Sequence, residues 1–185
     1  AYVFTRSGTT WTQQAYLKAS NAQADDYFGN SMALSADGNT LTVGARFEDS
    51  NALLVNGNQA DNSANQSGAV YVFVRAAAVW SQQAYLKRSA APGAWFGWNV
   101  ALASDGNTLA VFGNLVGDGW VDIFLRAGAT WSFSQRLVGP AEGNGFGVGL
   151  ALAADASTLV VGINQGDFVF TRSGMTYTQQ GARLY

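Results

Sequence analysis

The chain contains no cysteine and no histidine. Without cysteine there is no disulfide framework and no thiolate nucleophile. Without histidine as well, a Ser-His-Asp triad and a Cys/His zinc site are excluded. An enzyme built from this chain would have to run on Asp, Glu, Lys, Tyr or Ser. Charge is also scarce, at 12% of 185 residues, with 10 Lys and Arg against 12 Asp and Glu and a net charge of -2. No run of basic residues offers an electrostatic footprint, so nucleic acid and an anionic membrane are not expected partners. No stretch of about 18 apolar residues is present to cross a bilayer as a helix. The N-terminus has no basic patch leading into an apolar core, and the chain opens at Ala1 inside a predicted strand, so a processed or excised product is expected. What the sequence has in quantity is glycine, 22 residues, and aromatics, 13%. That balance describes a turn-rich, strand-rich, globular chain.

Internal repetition organises it. The segment from Phe28 to Ala45, FGNSMALSADGNTLTVGA, returns as FGWNVALASDGNTLAVFG from Phe96 to Gly113 and as FGVGLALAADASTLVVGI from Phe146 to Ile163. A second unit, YVFTR-SGTT-WTQQAYL from Tyr2 to Leu17, returns from Tyr71, from Asp122 and from Phe168. The two units alternate, beginning with the second.

Each unit reads as a hairpin. In the first, half-apolar runs flank Ala36-Asp37-Gly38-Asn39, and Asp-Gly at such a place is a strong hairpin signal. In the second, a β-branched and aromatic run ends at Arg6, four small residues turn the chain, and Trp11 starts the return. No apolar pattern of helical period survives the interrupting glycines. With the strands lettered a to d, the repeat is a four-stranded antiparallel meander. The short d-to-a links let successive meanders stack radially, as blades of an all-β β-propeller. The predicted layout is a half blade over 1–18 (strands c and d), blade 1 over 28–87, blade 2 over 96–137 and blade 3 over 146–185. Three and a half blades form an incomplete ring, since closure takes about four to eight. The expectation is a piece of a longer propeller, or one subunit of a shared one, with an unfinished sheet edge open to self-association.

The Phe-Gly pair heading strand a, Val43-Gly44-Ala45 closing strand b, and the run from Gly68 to Phe73 resemble the FG-GAP repeat of integrin-α-type propellers. The resemblance implies a secreted or cell-surface propeller used for adhesion or ligand binding, and some relatives of this kind are sugar-binding lectins. Integrin-type repeats often carry calcium between strands a and b. Here that connection is the tight turn Ala36 to Asn39 and its copies, and one carboxylate per turn cannot supply six or more oxygen ligands.

Alternation of strand direction puts the a–b and c–d turns at one end and the b–c and d–a connections at the other. The second end varies most, with a b–c connection from Arg46 to Ser67 in blade 1 but only Asn114 to Gly119 in blade 2. Function on a rigid scaffold usually lives in such loops. Trp11, Trp80, Trp131 and Tyr177 share one repeat position, each five residues after an arginine, and are expected to pack across their hairpins with a cation–π contact of about 0.5–1 kcal/mol. Trp95, Trp98 and Trp120 break the repeat near the variable end and are candidates to stack on a sugar or anchor a protein, with Trp98 alternatively filling the central channel. Tyr27 precedes Phe28 as Trp95 precedes Phe96. Asp25 and Asp26 offer neighbouring carboxylates near the same face, although a glycosidase needs two opposed ones. In the 46–67 loop, Glu48, Asp49, Asn58 and Asp61 are candidate calcium ligands, against a plainer reading as a solvated loop. Gly143, Gly145, Gly147 and Gly149 look like a phosphate loop, but no helix is predicted after them to hold an anion.

The expected function is a non-enzymatic extracellular propeller that meets a glycan or an extracellular protein through its b–c and d–a loops. A structural tile assembling through the unfinished blade is the alternative, and a glycan hydrolase a distant third.

Overall fold

The computed structural model describes residues 1–115, 118–139 and 145–185. Every regular element in it is a strand. Strands β1 (Tyr2–Ser7) and β2 (Thr10–Tyr16) form a two-stranded sheet. Blade 1 is β3 (Phe28–Leu34), β4 (Thr40–Ala45), β5 (Ala69–Ala76) and β6 (Val79–Leu86). Blade 2 is β7 (Val100–Leu102), β8 (Thr108–Leu115), β9 (Asp118–Ala127) and β10 (Thr130–Val138). Blade 3 is β11 (Gly149–Leu152), β12 (Thr158–Ile163), β13 (Gly166–Ser173) and β14 (Thr176–Leu184). Each blade is an antiparallel meander in chain order, so the predicted half blade and three propeller blades are all present. Strand a is shorter than its repeat in blades 2 and 3. There the Phe-Gly pair stays outside the ladder, whereas in blade 1 Phe28 pairs with Ala45 ahead of a register shift; the glycine takes φ of +97°, +87° and +100° in the three copies, which side-chain-bearing residues rarely adopt.

Blades stack through period-2 alternation. On β5, Tyr71 and Phe73 face the half blade, where Leu17 and Val43 join them, while Val70 and Val72 face blade 2 and meet Phe96, Phe124 and Trp131. Ile123 of blade 2 likewise meets Phe168, Phe170 and Tyr177 of blade 3. Strands buried on both faces explain the near-continuous apolar runs of the sequence.

Polar contacts interlock the same junctions. The register sets Arg75 opposite Trp80 and Arg126 opposite Trp131, with each guanidinium 5.5 Å from the indole centroid, as the hairpin spacing predicts. A glutamine from the preceding blade joins each pair. Gln14 Oε1 accepts from Trp80 Nε1 at 3.0 Å and Arg75 Nη1 at 3.1 Å, and Gln83 Oε1 accepts from Trp131 Nε1 at 3.0 Å and Arg126 Nη1 at 3.3 Å. At the third junction Gln135 exchanges two hydrogen bonds with the backbone of Tyr177. The a–b turns are also stitched together, Ala36 N–H donating to Ser104 O and Ser104 N–H to Ala154 O, both at 2.9 Å.

These turns close on aspartate. Asp37 Oδ1 accepts from Ser35 Oγ and from the Asn39 N–H, and Asp155 Oδ1 accepts from the Ser157 N–H. Donors from Ser35 and Asn39 hold Asp37, and those from Ser157 hold Asp155, below the usual carboxylate range. A depressed carboxyl contributes stability that is complete above its unfolded pKa, near 4, and is lost as pH falls through the folded value. The Asp37→Asn/Asp155→Asn variant should therefore lose less thermal stability than the parent between neutral pH and about pH 2. Superimposable acid limbs in the two melting profiles would contradict this.

Candidate functional site

Tyr27 and Trp95 occupy one repeat position and both adopt the left-handed region, at φ 56° and 45°, where blade 3 has Gly145 at 68°. A bulky residue held there costs about 1–3 kcal/mol. The strain positions two aromatic side chains at the b–c and d–a end. Asn30 organises what lies between them. Its Nδ2 donates to Trp98 O at 2.8 Å and to Gly97 O at 3.3 Å, and its Oδ1 accepts the Arg46 N–H at 3.1 Å.

The result is a continuous aromatic cluster around one cation. Ring centroids lie 4.7 Å apart for Tyr27 and Phe47, 6.4 Å for Phe47 and Trp95, 5.2 Å for Trp95 and Trp98, and 6.1 Å for Trp98 and Phe112. The Arg46 guanidinium sits 4.7 Å from the Phe47 centroid and 5.1 Å from those of Tyr27 and Trp98. Its Nε is buried with no hydrogen-bond partner among the described residues. Trp95 Nε1 makes only a long contact, 3.4 Å, to Gln66 Oε1. Tyr27 is exposed, Trp98 is 38% exposed, and Trp95, Arg46 and Phe47 are half-buried. Three of the sequence candidates, Tyr27, Trp95 and Trp98, thus meet on one platform. Arg46 and Phe47 went unnoticed because they open a loop read only for its oxygens; their position straight after Val-Gly-Ala was the available signal.

Other candidates go elsewhere. Trp120 is 7% exposed, so it is not the surface aromatic that the sequence suggested. It lies two residues before Asp122 on β9, hence on the same face, and its Nε1 donates to Asp122 Oδ2 at 3.1 Å. Arg136 covers the indole at 4.5 Å and grips Asp122 with two 2.7 Å hydrogen bonds. Asp26 is 5% exposed and accepts the Gln23 N–H, with burial pushing its carboxyl up, whereas Asp25 is exposed. The two carboxylates form no pair. Gly143 lies outside the described residues; Gly145 and Gly147 turn the chain into strand β11, not a helix.

The polar groups of the 46–67 loop are engaged within the protein, by the loop itself and by Asn21 and Lys87. Glu48 is buried against Lys87, whose Nζ donates to Oε2 at 2.6 Å and to Gly68 O at 2.8 Å. Asn21 Nδ2 and the Ser50 N–H complete the shell of that carboxylate. Asp49 accepts the Gln66 N–H, Asp61 accepts from Asn51, Ser63 N–H and Ser63 Oγ, and Asn58 Oδ1 accepts the Ala60 N–H. Among the described residues no three acidic side chains converge as a metal-binding group. The candidate calcium ligands serve as the loop's own scaffold. Two open grooves, of about 480 and 460 Å³, lie beside the half blade and between blades 2 and 3, and neither is lined by the aromatic cluster.

Desolvation pushes the Lys87 ammonium down and the Glu48 charge opposes it. Lys87→Met should cost about 3–5 kcal/mol in urea unfolding, because Glu48 is left as a buried, unpaired charge. Adding Glu48→Gln should restore part of that loss. No recovery in the double variant would show that packing, not charge, dominates.

Residues 11–73 match the family model of the FG-GAP repeat. No curated protein matches the chain. Among solved structures, a Bacteroides uniformis protein provisionally named a 6-phosphogluconolactonase aligns with a TM-score of 0.67 at 12% identity, over 99% of this chain and 48% of its own. A Lactobacillus plantarum protein aligns with a TM-score of 0.63 at 15% identity, over 99% and 50%. A Bacteroides fragilis protein, also provisionally named a 6-phosphogluconolactonase, aligns at 0.54 and 15% identity, over 80% and 36%. The chain spans at most half the length of these three structures, and the likeness is one of fold.

Proposed function

We propose that this FG-GAP-repeat propeller is a non-enzymatic binding module that recognises a glycan through Tyr27, Arg46, Trp95 and Trp98. The observation that carries the reading is the guanidinium held among exposed rings beside two strained aromatic residues. Indole and phenol faces suit the apolar faces of sugar rings, and the half-buried guanidinium of Arg46 suits a hydroxyl or carboxylate substituent. A shallow platform of this kind fits a repeating surface polymer better than a small enclosed substrate. A secreted or cell-surface setting agrees with the FG-GAP resemblance and with such a ligand. A binding role without turnover is supported by the absence of histidine and cysteine, by the burial of Asp26, and by the engagement of Glu48 with Lys87. Calcium is not required in this reading, because the loop's carboxylates are held by donors of the loop and by Asn21 and Lys87.

On a glycan array the parent chain should bind a restricted set of sugars, with and without a chelator. Trp98→Ala and Tyr27→Ala should each weaken binding about tenfold to a hundredfold, as loss of a central aromatic anchor does. Both variants binding like the parent would remove the platform from the site. Loss of binding on chelation would return calcium to the 46–67 loop, and turnover of a bound sugar or of 6-phosphogluconolactone would end the non-enzymatic reading.

A further inference from the structure

The junction between blades 2 and 3 departs from the interlock that the two earlier junctions share. In blades 1 and 2 the strand c arginine is fixed twice. Arg75 and Arg126 give Nε to Asn39 and Asn107 of their own a–b turns, at 3.0 and 2.9 Å, and Nη1 to Gln14 and Gln83 of the unit before. Each also lies over a tryptophan ring. Blade 3 changes all three partners around Arg172. Ser157 stands where Asn39 and Asn107 do, Ser134 where Gln14 and Gln83 do, and Tyr177 where Trp80 and Trp131 do. Ser134 sits at the same strand bulge as Gln83, but its side chain is too short to reach the arginine, and its Oγ donates to Met175 O at 2.9 Å. Among the described residues Arg172 donates to Gly174 O at 2.8 Å and to Thr108 Oγ1 at 3.0 Å, and to no amide side chain or carboxylate.

The groove of about 460 Å³ between blades 2 and 3 opens at this place. Its lining combines apolar Leu125, Phe133 and Met175 with Arg126, Arg172 and Asp105, and Met175 is 66% exposed. Arg126 is held by the neutral amides of Asn107 and Gln83, so two guanidinium charges share the groove with one carboxylate.

We infer that this groove receives an extended segment of a partner protein that carries a glutamate beside an apolar side chain, the carboxylate playing at Arg172 the part that Gln14 and Gln83 play at Arg75 and Arg126. The chemistry follows from the repeat: two copies show an arginine at this position completed by a side-chain oxygen delivered from a strand alongside. A carboxylate brings two oxygens and a full charge to a guanidinium where an amide brings one neutral oxygen, and the positive balance of the groove favours the charged form. The apolar neighbour packs on Leu125, Phe133 and Met175, the last an unbranched, adaptable thioether suited to a binding surface. Every wall of the groove belongs to blades 2 and 3, and it opens at the a–b and c–d end, opposite the aromatic platform. It is therefore a second site, independent of the glycan reading.

Fluorescence anisotropy with labelled hexapeptides tests it. Peptides with a central Leu-Glu pair should bind the chain, those with Leu-Gln about tenfold more weakly, and those with Leu-Lys not at all. Ser134→Gln returns the repeat's own side chain to the groove. It should weaken the Leu-Glu peptide about tenfold or more, with a melting temperature at or above the parent's. Arg172→Gln should erase the preference for glutamate over glutamine. No binding of Leu-Glu peptides at tenths of millimolar, equal binding of the Glu and Lys peptides, parent-like binding by Ser134→Gln, or a uronic acid oligosaccharide displacing every peptide at lower concentration would overturn the inference.

Discussion

The structure depends on one repeated contact, the meeting of the c and d strands of one blade with the c and d strands of the next. A four-stranded meander alone exposes two apolar faces and has no core of its own. Only by stacking do Val70 and Val72 find Phe124 and Trp131, or Ile123 find Phe168 and Phe170. Gln14 and Gln83 then set the angle and height of the stack, because each must satisfy an indole and a guanidinium at once. The fold is in this sense quasi-one-dimensional, with stability residing in nearest-neighbour interfaces.

The platform is a by-product of that order. Because the blades are held in register, residues at equivalent repeat positions line up at one end, and a departure from the repeat lands beside its neighbours. Tyr27 and Trp95 replace a residue that could be glycine, accept an unfavourable backbone conformation, and face one another across Arg46 and Phe47. Rigid supports matter here. Asn30 fixes Arg46 and Trp98 together, and the Glu48–Lys87 pair anchors the loop that begins at Arg46. The buried polar cluster of that loop thus supports the platform by geometry.

Much of this was legible in the sequence, because a repeat amplifies weak signals. Blade number, strand order, the end carrying the variable loops and the Arg–Trp stacking of Arg75–Trp80 and Arg126–Trp131, two of the four copies for which it is expected, follow from aligned copies. What a repeat cannot reveal is which way a unique residue points. Trp120 broke the pattern as visibly as Trp98, yet strand alternation turned it inward onto Asp122 and under Arg136. Arg46 and Phe47 looked like ordinary loop residues, and only the fold brings them beside Trp95 and Trp98, about fifty residues further along. The acidic loop shows a related limit: its carboxylates are close in sequence, but in the structure each accepts from a different backbone donor or from Lys87.

The six tryptophans provide the most direct test of the central claim, that ligand recognition sits on the blade 1–blade 2 platform. Each indole N–H gives a separate resonance in a nitrogen-labelled sample, and a panel of neutral and acidic oligosaccharides can be titrated against it. The account predicts that a bound sugar shifts the signals of Trp95 and Trp98 while those of Trp80, Trp120 and Trp131 stay in place. Shifts confined to Trp120, or spread equally over all six, would contradict it.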